Sequence, residues 1–407
     1  MAATMEGPFS DPTLFGALFE LQSLLSRTEF PQNAKDLLLM LSTYFTRYER
    51  EPLLPFRDNV LRLIDEFIFC CVTNQNYYRK RLSAVQELQL LELLCGYFEN
   101  QPNEIIKNAV FDALFCFSSS RPSEDYKRDL LYKLVSLAVA VKCTSVLNCT
   151  AVWMSRQHLS HSVINLAAAV VHDYCILVPA SLTAIQNLVE ISPLFACQFL
   201  TAVAALYKPA LSGTPGLGKQ SSLPITLLEV ITEWVSNYPL LCLSSLYPKF
   251  PNIPSFQRTQ NYPDARTPIP GLITCCVLAP LNMMHDNTEL TGKNSQLYSK
   301  LHLGVLEAMI AYKAVQQSPG IDPLLIQRGI VSLQDMKEIA DSIQRCRSKD
   351  CQQGQLEISV DRMAQSLQLA LSTHCLVCTK DHLKDICICL PQTRLLQIVL
   401  SQPMMVR

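Results

Sequence analysis

The sequence is poor in glycine and in charged residues, and it has no long uninterrupted apolar run. Only 12 of its 407 residues are glycine, and charged residues make up 17%, against about 25% in an average domain. Scarce glycine argues against a sandwich or a barrel, because their many tight turns depend on that residue. No run reaches the roughly 18 apolar residues that a membrane-spanning helix needs. The sequence therefore predicts a helical chain without a membrane span.

An excess of basic residues is also missing, since the formal net charge is −1. Nucleic-acid binders concentrate lysine and arginine against phosphate, so we expect no direct binding of nucleic acid. Apolar residues make up 49% of a chain that exceeds the ~250–300 residues at which a single core stops growing. We expect two domains or an elongated array, with some apolar surface covered by partner proteins.

The 17 cysteines are odd in number and scattered along the chain. Several of them, such as Cys70, Cys116 and Cys197, lie inside apolar runs, where a free thiol behaves as a small hydrophobic group. Residues 1–8 show no basic segment followed by an apolar one, so they do not resemble a secretory signal. Both observations predict a reducing, intracellular environment.

The segment 79–98 is the strongest helix signal, and its apolar residues form two adjacent stripes. These stripes are Leu82, Val85, Leu88, Leu91, Cys95 and Phe98, and then Leu90, Leu93, Leu94 and Tyr97. A helix that lies on one layer needs an apolar arc of only about 100°. The wider arc predicts a helix that is buried on two sides, as in a stack of helical hairpins.

Other helix signals follow one another along the chain, and we find no convincing strand. Between residues 124 and 207 the predicted connections are so short that consecutive helices must be antiparallel neighbours. No fixed-period repeat is present. We therefore predict an all-α fold, an irregular HEAT-like α-solenoid of stacked antiparallel helix pairs.

Breaks in composition predict how this solenoid is divided. The low-complexity run 209–222 is expected to be a flexible linker between an N-terminal half, 1–208, and a C-terminal half, 223–407. Within the C-terminal half, the six prolines of 248–270 exclude regular structure, and 283–294 is predicted to be a second loop.

Three patterns suggest chemical sites, and each also has a structural explanation. Residues 213–220 nearly match a phosphate-binding loop, but Gln220 replaces the hydroxyl that holds magnesium, and a helix precedes the loop instead of a strand. The cluster between His374 and Cys389 suggests zinc, yet its Cys-x-Cys lies in an apolar run and favours core packing. His172 and Asp173 suggest an acid–base pair, without other members of a catalytic site. We predict no enzyme activity, no cofactor and no metal.

Two groups of residues are instead predicted to contact a partner. Arg79, Lys80 and Arg81 are consecutive cations, which fit a solvated turn, an acidic surface on a partner or a weak nuclear-import element. Tyr298 and Lys300, near the start of a strong helix signal, form the second group.

Four blocks of sequence also resemble a known family. They are KRLSAVQELQLLE at 80–92, DYCILVPAS at 173–181, LYSKLHL at 297–303 and DRMAQSLQ at 361–368. These blocks closely resemble the Integrator complex subunit 15 family, and the likeness extends over about 34–401.

This resemblance implies a nuclear, non-catalytic, α-helical subunit of the metazoan complex that cleaves nascent RNA, processes small nuclear RNA 3′ ends and attenuates RNA polymerase II. It also implies that the subunit links the arm module, which contains Integrator subunits 10, 13 and 14, to the body of the complex. No small-molecule substrate is implied. The residues themselves leave an alternative open, a free-standing helical-repeat adaptor in another intracellular complex, because both need apolar surface and irregular loops.

Overall fold

A computed structural model describes residues 22–47, 57–72, 79–117, 124–208, 223–246, 266–282, 288–317, 323–347 and 353–401. The described residues are almost all helical, which confirms the all-α class. Contacts divide the chain into two compact units. Unit 1 comprises Met1–Leu137 and Asn252–Gln260, and unit 2 comprises Ala138–Pro251 and Asn261–Arg407. The linker expected at 209–222 lies outside the described residues, so the predicted division into halves stays a prediction.

The part of unit 1 that the structure describes contains a helical stretch at 22–25, five longer helices and two short strands. In chain order the longer helices and the strands are α1 (Gln32–Arg47), α2 (Arg57–Phe67), β1 (Cys70–Val72), β2 (Arg79–Arg81), α3 (Ala84–Asn100), α4 (Glu104–Leu114) and α5 (Glu124–Val141), of which α5 continues into unit 2.

The two strands correct the prediction that the chain contains none. β1 and β2 pair antiparallel, with Cys70 opposite Arg81 and Val72 opposite Arg79. Three-residue strands are too short to show an alternating pattern, so periodicity could not reveal them. Helix α2 accordingly ends at Phe67, before β1 begins at Cys70.

The helix predicted from Arg79 begins instead at Ala84, and a capping box fixes this start. The Ser83 hydroxyl accepts a hydrogen bond from the backbone N–H of Gln86 at 3.4 Å, and the Gln86 side chain accepts one from the N–H of Ser83 at 3.0 Å. Each bond satisfies a backbone donor that has no partner inside the helix. Residues 79–81 are thereby released to pair with β1.

Burial on two sides holds for the second half of α3 and is wrong for the first. Within α3 the buried members of the two stripes are Leu90, Leu91, Leu94, Cys95 and Phe98. Phe98 begins an aromatic cluster that continues through Phe111 and Phe115 to Phe69, with ring centroids 4.9–6.1 Å apart. Such pairs each add about 0.5–1.5 kcal/mol beyond their buried area. Val85 and Leu88, which belong to the predicted buried stripe, are exposed.

Unit 2 continues with α6 (Thr144–Gln157), α7 (His161–Val171), a π-helix (His172–Leu177), a 3₁₀ turn (Pro179–Ser181), α8 (Leu182–Gln186), α9 (Leu188–Ile191), α10 (Pro193–Leu206), α11 (Ile225–Asn237), a 3₁₀ helix (Pro239–Leu246), α12 (Ile269–Asn282), α13 (Thr288–Val315), α14 (Pro323–Arg328), α15 (Leu333–Arg347), α16 (Gln353–Ser372), α17 (Lys380–Cys387) and α18 (Arg394–Ser401).

Helix α12 lies at the centre of unit 2, where it packs on α10, α13, α15 and α16. Gly271 allows the close approach to α10, because a Cβ at this position would stand 2.7 Å from the Cβ of Ala204. Helix α13 begins at Thr288, so the loop predicted at 283–294 is wrong for residues 288–294. Residues 283–287 lie outside the described part of the chain, as do 248–265 of the loop predicted at 248–270. The prediction for 248–270 is wrong for Ile269 and Pro270, which begin α12.

None of the helices in the described ranges is long and apolar enough to cross a membrane.

Candidate interaction surface

The predicted basic triplet lies on the β-ribbon of unit 1. Lys80 and Arg81 are exposed on β2, and the guanidinium of Arg81 stands 5.3 Å from the ring centroid of Tyr126. Arg79 occupies the first position of β2. Burial and the nearby Glu87 carboxylate raise the pKa of the Tyr126 phenol, so it stays neutral under Arg81. Among the described residues neither Lys80 nor Arg81 forms an ion pair.

The neighbouring cations of unit 1 do have carboxylate partners. Lys133 binds Glu87 at 2.6 Å, and Arg128 binds Asp125 at 2.5 Å. Lys127, which is almost fully buried, pairs with Asp65 and also stands 5.2 Å from the ring centroid of Phe69. Lys80 and Arg81 therefore differ from the cations around them, which are neutralised inside the unit.

Two exposed aliphatic side chains follow the basic pair. Val85 is 68% exposed and Leu88 is 53% exposed, one helical turn apart on α3. Between β2 and Leu91 the only acidic residue is Glu87, which is held by Lys133. The surface made of β2 and the first two turns of α3, here called the ribbon surface, is thus cationic at one end and apolar at the other.

The second predicted group lies on α13 of unit 2. Tyr298 is half-buried, and burial, together with the adjacent thiols of Cys275 and Cys276, raises the pKa of its phenol. Lys300 is exposed. Since α13 begins at Thr288, both residues lie in its interior and not at its start. Their role in binding a partner stays a prediction.

A polar site that the sequence did not predict joins three helices of unit 2. Pro280 lies inside α12 and has no N–H, so the carbonyl of Cys276 lacks its regular helical donor. Arg362 of α16, only 8% exposed, donates to this carbonyl at 2.7 Å and to the Ser299 hydroxyl of α13 at 2.7 Å. A buried arginine thus replaces the hydrogen bond that the proline removes.

His302 lies one turn beyond Ser299 on α13 and is only 3% exposed. Its Nε2 stands 3.1 Å from the side-chain oxygen of Gln365, and its Nδ1 has no partner among the described residues. Burial, reinforced by the charge of Arg362, lowers the pKa of His302 to about 4. His302 is therefore neutral at physiological pH, and its Nε2–H donates a hydrogen bond to the side-chain oxygen of Gln365.

The cysteine cluster is largely part of the core. Cys375 and Cys387 are buried, and burial raises the pKa of their thiols to about 12 and about 11. Cys378 is half-buried, whereas Cys389 is exposed. In the described ranges no group of three or more histidine, cysteine, aspartate or glutamate side chains could hold a metal ion. The core packing predicted for this cluster is confirmed for Cys375 and Cys387 and is wrong for Cys389.

His172 and Asp173 begin the π-helix and are partly exposed, with Nδ1 and Oδ1 3.7 Å apart. The i→i+5 bond from the N–H of Val178 to the carbonyl of Asp173 closes this element. Ile176, Leu177 and Val178 at its end are exposed. The loop that resembles a phosphate site, 213–220, lies outside the described residues.

Comparison with known proteins agrees with the resemblance of the four sequence blocks. A family model described as Integrator complex subunit 15 matches residues 19–392. The Homo sapiens protein of that name is 33% identical over 411 residues, covering 94% of this chain and 87% of its own length. The Mus musculus protein is 32% identical over 94% of this chain, and the Drosophila melanogaster protein is 26% identical over 91%. The chain therefore belongs to the Integrator complex subunit 15 family.

Proposed function

We propose that the chain is a non-catalytic scaffold subunit of the Integrator complex, acting in the nucleus. The observation that carries this proposal is the match over 94% of the chain to proteins named as a subunit of that complex. The helical packing supports it, because helical arrays present long surfaces on which separate partners dock without competing. An irregular HEAT-like solenoid with halves at 1–208 and 223–407 would offer two such surfaces.

The scaffold would link the arm module, with Integrator subunits 10, 13 and 14, to the body of the complex. In this role it contributes to small nuclear RNA 3′ processing and to attenuation of RNA polymerase II by holding subunits together. It supplies contacts and no catalytic group. Direct binding of nucleic acid is not part of the proposal.

Affinity purification of the tagged chain from nuclear extract, followed by cross-linking mass spectrometry, tests this function. We expect recovery of Integrator subunits, with cross-links from the chain to both the arm and the body. Cross-links to only one module would contradict bridging. Recovery of a different set of proteins, without Integrator subunits, would support the free-standing adaptor instead.

A second measurement compares complexes assembled with and without the chain. Omission should detach the arm module and leave RNA cleavage by the endonuclease module intact, because the chain contributes no group to that reaction. Loss of cleavage on omission would contradict a purely structural role.

A further inference from the structure

We propose that the ribbon surface binds an extended, acidic segment of a partner protein that also carries aliphatic side chains. The inference rests on the proposed function, since it specifies the kind of partner that the scaffold takes at this surface. Four features of unit 1 lead to it.

First, Lys80 and Arg81 have no carboxylate partner among the described residues. Lys80 and Arg81 are adjacent, and they precede the N-terminus of the 17-residue helix α3, where the helix dipole is positive. Cations at this end of a helix are unfavourable, whereas an anion is stabilised there. A carboxylate-bearing partner would relieve this repulsion, while Lys127, Arg128 and Lys133 are already neutralised.

Second, β2 has one edge without a neighbouring strand in the part of the chain that the structure describes. The sheet in the described residues has two strands, so the backbone groups of β2 that face away from β1 have no strand beside them. An extended peptide can add to such an edge through main-chain hydrogen bonds. Side chains alternate between the faces of a strand, so Lys80 and Arg81 project to opposite faces. Consecutive acidic residues of an added strand alternate in the same way and can meet both.

Third, the exposed aliphatic pair follows directly along the chain. Val85 and Leu88 lie within seven residues of Arg81. An eight-residue extended segment spans about 27 Å, which is enough to pair with β2 and place an aliphatic side chain against α3. The segment would therefore have its acidic residues beside β2 and its aliphatic residues beside Val85 and Leu88.

Fourth, the residues that form the ribbon surface include no aromatic side chain. Single-stranded RNA is held by exposed aromatic rings on which bases stack. Among the described residues next to β2, the Tyr126 ring is covered by Arg81. Beside its exposed cations the ribbon surface presents the aliphatic side chains of Val85 and Leu88, which suits a peptide.

Fluorescence anisotropy with the full-length chain tests the surface. The probes are the labelled peptide Glu-Glu-Glu-Ser-Leu-Ser-Ser-Leu and its reversed sequence, since the direction of the added strand is open. Controls replace every Glu with Lys or every Leu with Ser.

We expect one of the acidic peptides to bind the wild-type chain, with an affinity that falls as the salt concentration rises. Lys80→Glu/Arg81→Glu should lower the affinity about tenfold, because two exposed ion pairs become repulsive.

A control variant changes the net charge by the same amount as Lys80→Glu/Arg81→Glu, but outside the ribbon surface. Lys380→Glu/Lys384→Glu reverses two exposed cations of unit 2 and should leave peptide affinity unchanged. Val85→Ser/Leu88→Ser should weaken binding of the acidic peptide. The control peptide in which every Leu is Ser should bind this variant and the wild-type chain with the same, weaker affinity. Equal affinity in the wild-type chain and Lys80→Glu/Arg81→Glu, or no binding of either acidic peptide, would overturn the inference. Binding of an oligouridine in place of the peptides, lost in the same variant, would also overturn it.

Co-purification from nuclear extract separates this inference from the proposed function. If the wild-type chain recovers no Integrator subunits, the proposed function fails. If it recovers them and Lys80→Glu/Arg81→Glu recovers them equally, only the docking surface fails. Selective loss of one partner from Lys80→Glu/Arg81→Glu, with that partner retained by Lys380→Glu/Lys384→Glu, supports both.

Discussion

Lys80 and Arg81 of unit 1 and Arg362 of unit 2 have opposite environments. Lys80 and Arg81 are exposed on a short β-ribbon beside aliphatic side chains, whereas Arg362 is buried among α12, α13 and α16. None of the three forms an ion pair among the described residues. Arg362 is held by a carbonyl and a hydroxyl, and burial lowers the pKa of its guanidinium. A basic residue without a carboxylate partner can stabilise the fold when a buried acceptor nearby needs a donor, as Arg362 does. When it is exposed, it remains available to a partner.

The largest expected effect concerns the buried arginine. Arg362→Met should lower the free energy of unfolding by about 2–3 kcal/mol, because it leaves the carbonyl of Cys276 without a donor. In a Pro280→Ala background the same change should cost about 1–2 kcal/mol less, since the introduced alanine would supply the helical N–H. Urea unfolding of the four chains, as a double-mutant cycle, measures this coupling.

The control for that cycle is Arg394→Met, which removes an exposed arginine at the start of α18 and should change stability by less than about 0.5 kcal/mol. Equal costs of Arg362→Met in both backgrounds would show that the proline and the arginine are independent. Arg362 would then not act as the replacement donor for the carbonyl of Cys276.

The second effect is pH dependence in the same buried region. The folded-state pKa of His302, about 4, lies below its ordinary value of 6.5. Between these values the unfolded chain binds a proton that the folded chain does not, so stability is full above pH 6.5 and falls as pH drops to about 4. The loss should reach roughly 3 kcal/mol at full effect.

His302→Leu isolates this contribution. Its partner Gln365 is exposed and can bond to water, so the variant should remain folded. Urea unfolding between about pH 7 and pH 4 should show a shallower decline for His302→Leu than for the wild-type chain. If stability fell equally with pH in both chains, the pKa of His302 would be the same in the folded and unfolded states, which would contradict this prediction.

The smallest effect belongs to the exposed region. Ser83→Ala removes the cap of α3 and should cost about 1 kcal/mol. Lys80→Ala should change stability by less than about 0.5 kcal/mol, because no ion pair among the described residues depends on it. Thermal unfolding measures both. A cost for Lys80→Ala above that of Ser83→Ala would show that the ribbon surface is engaged in the fold and is not free for a partner.

The sequence predicted the all-α class because helical periodicity is strong over long segments such as α3, α10 and α13. It misplaced the start of α3, since the capping box of Ser83 and Gln86 competes with a periodicity that reaches back to Leu82. The same periodicity placed Val85 and Leu88 in the core. Periodicity shows which residues share a face, and only the positions of neighbouring helices show how far along that face the contact extends.

The candidate sites show the same limit. Consecutive basic residues are visible in sequence, so the exposed residues Lys80 and Arg81 could be selected as candidates for binding a partner. Arg362 is an isolated cation in an ordinary helix pattern, and its partner carbonyl lies 86 residues away. One local signal was present, namely a proline inside an apolar helix, which indicates that a carbonyl four residues earlier needs another donor. Nothing in the local pattern tells which residue supplies that donor.

The separation between Cys276 and Arg362 also has a consequence during synthesis of the protein. Arg362 is added to the growing chain 86 residues after Cys276. At about 5–20 residues per second, that delay is roughly 4–17 s. For this interval the carbonyl of Cys276 can bond only to water, and the face of α12 that packs on α16 is not yet covered by it.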